Sequence, residues 1–85
     1  MFEVDWSADA ANELAAAWAA APDRNAVTAA SAALDRRLAI NPADEGESRN
    51  DNQRVTFAAP LGVRFEVDPV ARRVKEIACW WYRSR

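Results

Sequence analysis

Leu61, Val63, Phe65 and Val67 alternate with Gly62, Arg64 and Glu66. A strict period of two marks a β-strand with one apolar face and one open face. Such a strand needs sheet partners and a layer that covers its apolar side. The flanking sequence offers both. Val55 and Phe57 alternate with Arg54 and Thr56, and Pro60 marks a turn. Asp68-Pro69 turns the chain again, and residues 75–83 read as a last strand. That strand has a fault, because Val74 is out of phase with Ile77, Cys79 and Trp81. Either it begins after Val74 or a bulge shifts its phase. Near the N-terminus, Phe2, Val4 and Trp6 alternate with Glu3 and Asp5 and predict one more strand.

Two alanine-rich helices lie between. Residues 10–20 are almost pure helix former, with Ser7 or Asp9 as cap, and Pro22 ends the run. Asp23 caps a second helix, in which Val27, Ala30, Leu34 and Leu38 draw one apolar stripe while Asp35, Arg36 and Arg37 lie mostly off it. Asn41-Pro42 stops it. The short break between the helices predicts an antiparallel hairpin. Residues 43–52, ADEGESRNDN, form a polar loop that is either functional or mobile. The expected class is α+β, one domain over 1–85 in the order β-α-α-β-β-β, with the hairpin on one face of a mostly antiparallel sheet.

Composition removes several kinds of chemistry. With 85 residues the chain builds one modest core. There is no histidine, the commonest general acid–base group and metal ligand. One cysteine, Cys79, allows no intrachain disulfide and fits a reducing cytoplasm. No zinc constellation is legible, and two glycines cannot build a phosphate-cradling loop. No metal or cofactor is therefore expected. The longest apolar stretch, 8–21, is interrupted by Asp9, Asn12 and Glu13, so no membrane span is expected. Early acidic residues without a basic segment do not read as a secretory signal.

Charge is lopsided. Residues 1–51 carry a net −6 and residues 52–85 a net +4. A chain acidic overall is not an indiscriminate nucleic-acid binder, yet one positive face remains compatible with these numbers, as does a solvated mixed surface. If Phe57, Val63, Phe65, Ile77, Cys79 and Trp81 face the helices, alternation assigns Arg54, Thr56, Arg64, Glu66, Glu76, Ala78, Trp80 and Tyr82 to the open face. Trp80 and Trp81 are adjacent, so in a regular strand one of them points to the open side.

In its ordered features the sequence resembles toxins of the RelE/ParE superfamily, the type II toxin–antitoxin toxins often called plasmid stabilisation proteins. The segments that carry the resemblance are FEVDWSADAANELA, the alanine-rich second helix ending in NP, then GESR, RVTFAAPLGVRFEVDP and RVKEIACWW. It spans nearly the whole chain and rests on order and spacing rather than on one motif. The resemblance implies a cognate antitoxin that wraps the toxin. It also implies one of two actions: metal-free cleavage of mRNA on the ribosome, or binding of DNA gyrase without chemistry.

Cleavage by attack of a ribose 2′-hydroxyl needs a base, cations for the phosphorane, and an acid or cation for the leaving oxygen. Arg54 and Arg64 are candidates for the charge, Tyr82 for proton handling or stacking, and Glu47 or Glu66 for the base. Trp80 could stack on a base or cover the sheet against an antitoxin. Arg49 of GESR resembles a family position, and it could equally anchor the loop. Arg83 joins Arg49, Glu66 and Trp80 as a binding candidate. Arg64 and Glu66 could also be no more than a solvated, salt-bridged pair. The departures point away from cleavage: the C-terminal WWYRSR lacks the histidine that several RNA-cleaving relatives carry, and Gly62 stands where many have an arginine.

Overall fold

The computed structural model describes residues 1–50 and 52–82. The chain runs β1 (Glu3–Trp6), α1 (Ala8–Ala20), α2 (Arg24–Ile40), a 3₁₀ turn (Pro42–Asp44), β2 (Glu47–Ser48), β3 (Gln53–Ala58), β4 (Leu61–Asp68) and β5 (Arg73–Trp81). The sheet order is β1-β5-β4-β3-β2, with β1 parallel to β5 and every other pair antiparallel. The expected architecture is present. The addition is β2, a two-residue strand inside the segment read as a polar loop.

Ser7, not Asp9, caps α1: its Oγ accepts from the Ala10 N–H at 3.0 Å. Asp23 caps α2 by accepting from the N–H groups of Asn25 and Ala26. Each cap contributes about 1 kcal/mol by satisfying first-turn donors. The stripe Val27, Ala30, Leu34 and Leu38 is buried against Leu61, Val63, Phe65, Val67, Val74 and Cys79. Full burial of a side chain such as Leu34 or Phe65 stabilises the fold by roughly 1.5–3 kcal/mol. Helix α1 is held more lightly, since Ala10 is its one buried residue.

The phase fault in β5 is a bulge. Arg64 pairs with Ala78 and Phe65 with Glu76, which leaves Ile77 as the extra residue. The strand nevertheless begins at Arg73. The slip lets Val74 and Glu76 before it, and Cys79 after it, all face inward.

Helix side chains also reach the exposed ends of the sheet. β1 pairs with β5 only as far as Glu76. Beyond that point the Cys79 N–H donates to Glu13 Oε1 of α1 at 3.1 Å. On the other side β2 covers only Arg54 and Val55 of β3. Arg37 of α2 donates through Nη2 to the Phe57 carbonyl at 2.7 Å. Charged groups placed on strand edges in this way discourage unwanted pairing.

Candidate functional site

Residues paired across a ladder share a face, so the register sorts the candidates. Phe57, Gly62 and Trp80 form one row of the open face. Glu47, Val55, Arg64 and Ala78 form the next. Gln53, Glu66 and Lys75 form a third.

The first row is an aromatic shelf. The rings of Phe57 and Trp80 meet edge-on at 6.2 Å, and those of Phe57 and Tyr82 lie 4.4 Å apart. Phe57 and Trp80 remain 39% and 37% exposed, which leaves ring surface for a partner. Gly62 makes the shelf possible. A Cβ there would sit 2.6 Å from the Trp80 ring, so the indole lies directly on the strand backbone. Tyr82 is fixed by its N–H, which donates to the Pro60 carbonyl at 2.7 Å.

Arg64 lies beside the shelf, half-buried, with no hydrogen bond or ion pair from its guanidinium among the described residues. Glu66 accepts from Gln53 Nε2 at 3.2 Å, and the alternative of an Arg64–Glu66 salt bridge is not what the structure shows. Glu47 pairs with Arg49 at 3.2 Å, the one ion pair among the described residues. Arg49 therefore holds the end of β2, the strand it follows.

Four assignments of face require correction. Arg54 pairs with Phe65 and lies on the covered side, where Nε and Nη2 donate to the carbonyls of Glu45 and Gly46 at 2.8 and 3.0 Å. It organises the polar segment instead of standing beside Arg64. Gly46 fits that role, because its φ is +64° and a Cβ would meet the Val55 carbonyl oxygen. Thr56 is buried and paired with core Val63. Glu76 is fully buried on the covered side. Phe57 moves the other way, to the open face. In β3 the apolar residues Val55 and Phe57 suggest the inward phase, but alternation defines two sets and not which set faces the helices. Arg83 lies outside the described residues.

The covered side holds an acidic cluster. Trp6 Nε1–H donates to Asp35 Oδ1 at 3.1 Å, so Asp35 turns inward from the stripe's margin. Trp6 is the β1 neighbour of Glu76 in the ladder, so Asp35 is held over Glu76. Burial, and then Asp35, push the Glu76 carboxyl up to about 10. Burial, then Glu76 and Glu13, push the Cys79 thiol up to about 11, which makes it a poor nucleophile.

A second surface lies on the hairpin. Trp6, Leu14, Trp18 and Val27 line a shallow apolar groove of about 320 Å³ between α1 and α2. Trp18 is 43% exposed, and the Arg24 guanidinium stacks 4.6 Å from its ring centre. The chain has no helix long and apolar enough to cross a membrane among the described residues.

A chain of the chromosomal ParDE TA system from P. aeruginosa superposes over 98% of both chains, with a TM-score of 0.66. The fold is RelE/ParE-like. At 14% sequence identity the likeness is one of fold alone. No protein-family model and no curated protein matches the sequence. On this ParE-like frame, Phe57 is the site residue that sequence reasoning missed. A usable signal was present: a glycine within a strand marks close approach of another group, and here the group is Trp80.

Proposed function

We propose that this chain is the toxin of a type II toxin–antitoxin pair, neutralised by a cognate antitoxin, and that it acts by binding a macromolecular target rather than by cutting RNA. The observation that carries the toxin reading is the end-to-end likeness to a chain of a ParDE TA system. The preference for binding comes from the open face. Of the five catalytic candidates, Arg54 is committed to loop carbonyls on the opposite side, Glu47 to Arg49 and Glu66 to Gln53. Arg64 and Tyr82 remain on the open face, and both carboxylates in reach of that face are already engaged in this way. What the face does offer is a partly exposed aromatic shelf next to a cation that has no partner among the described residues, a combination common at protein interfaces. DNA gyrase is the target class that fits this reading, and the groove of Leu14 and Trp18 is a second surface suited to the antitoxin.

The test is induced expression in a bacterial host, with and without the short reading frame adjacent to the gene. Growth arrest relieved by the neighbour's product is expected, together with gyrase-linked DNA breaks and intact mRNA. Trp80→Ala and Arg64→Ala should relieve the arrest. New mRNA ends that vanish in Arg64→Ala and Tyr82→Ala would overturn the binding reading in favour of a nuclease. No effect on growth would overturn the toxin reading itself.

A further inference from the structure

Glu76 is the last inward-facing residue of β5 before the bulge, and it is wholly buried. Among the described residues, neither of its carboxyl oxygens meets a donor. An ionised carboxylate without a donor or a cation is not sustained in a protein interior. Its ladder neighbour Trp6 donates to a second carboxyl, Asp35 of α2, which brings Asp35 over Glu76. Two carboxylates are acceptors only, so they can bond to each other only if one carries a proton. The surroundings decide which. Asp35 is partly exposed and already accepts from Trp6 Nε1–H, so its carboxyl is supported by a donor. Glu76 has no such support.

The neighbouring elements bring no rescue. On α1, Glu13 is an acid committed to the Cys79 N–H. On β5 the nearby group is the Cys79 thiol. β1 contributes Trp6, which is engaged by Asp35. Across Phe65 on the same face, Arg54 of β3 is turned to the carbonyls of Glu45 and Gly46.

We propose that Glu76 is carried as the neutral acid and donates its proton to the Asp35 carboxylate, forming a carboxyl–carboxylate clamp that ties the β5 bulge to α2 and to Trp6 of β1, and that loosens as pH rises. The sign follows from the raised affinity for the proton. The unfolded chain releases this proton near the ordinary value of 4.5, whereas the folded chain keeps it to about 10. The clamp's contribution is therefore complete below the unfolded value and is lost progressively as pH climbs between the two. This differs from the usual paired carboxylate, whose contribution is lost in acid.

Urea unfolding of the full chain and of Glu76→Gln from pH 5.5 to 9.5 tests it. Glutamine keeps a donor toward Asp35 and cannot ionise. Relative to the variant, the wild-type folding constant should fall by about tenfold or more across this range. Parallel pH profiles would overturn the proposal. Should Glu76→Gln fail to fold, side-chain ¹³C NMR of the wild-type chain still decides. A Glu76 carboxyl that stays neutral at pH 7 beside an ionised Asp35 supports the clamp, and an ionised Glu76, or a neutral Asp35, overturns it.

Discussion

The two faces of this sheet handle charge in opposite ways. On the covered face, charged groups are tied into structure: Arg54 serves loop carbonyls, and Glu13 and Arg37 occupy strand edges. On the open face, Arg64 and the aromatic shelf are held in position but left without polar partners among the described residues. Residues that stabilise a fold are satisfied within it, whereas residues that recognise something are positioned and left available. The difference separates stability from function by face.

Substitutions can break or sharpen that contrast. The largest effect belongs to the covered face: Phe65→Ala should destabilise by about 3–5 kcal/mol in urea unfolding, because it empties the centre of the core. Gly62→Ala comes next, at about 1–3 kcal/mol, since its Cβ forces the Trp80 indole off the strand. It should also shift tryptophan fluorescence. If Gly62→Ala changes neither, the shelf is not built as described. Phe57→Ala removes two ring contacts on a partly exposed surface and should cost about 1 kcal/mol. Arg64→Ala should change stability by less than about 0.5 kcal/mol while abolishing growth arrest. A large loss of stability from Arg64→Ala would erase the division between the faces.

Much of the fold was legible because it depends on local periodicity. The stripe of α2, the alternation of β4 and the turn at Asp68-Pro69 are each read from neighbouring residues, and each is found where expected. The site was less legible. Arg64, Trp80 and Tyr82 lie on the open side as alternation implied, but Arg54, Thr56 and Glu76 do not. Their placement depends on pairing register, which is set by contacts between segments far apart in the chain. β2 escaped notice because two residues carry no period, and the strand exists only by pairing with β3.

By itself, then, the sequence determined the order of elements, the buried stripe of α2 and the two-sided character of β4, since period and capping are properties of adjacent residues. Only the tertiary structure decided that β1 lies parallel beside β5, that the bulge at Ile77 carries Glu76 inward to Asp35, and that Phe57 joins Trp80 and Tyr82 over Gly62. The physical reason is that alternation separates a strand's side chains into two sets, and only pairing and packing against distant elements choose which set is buried.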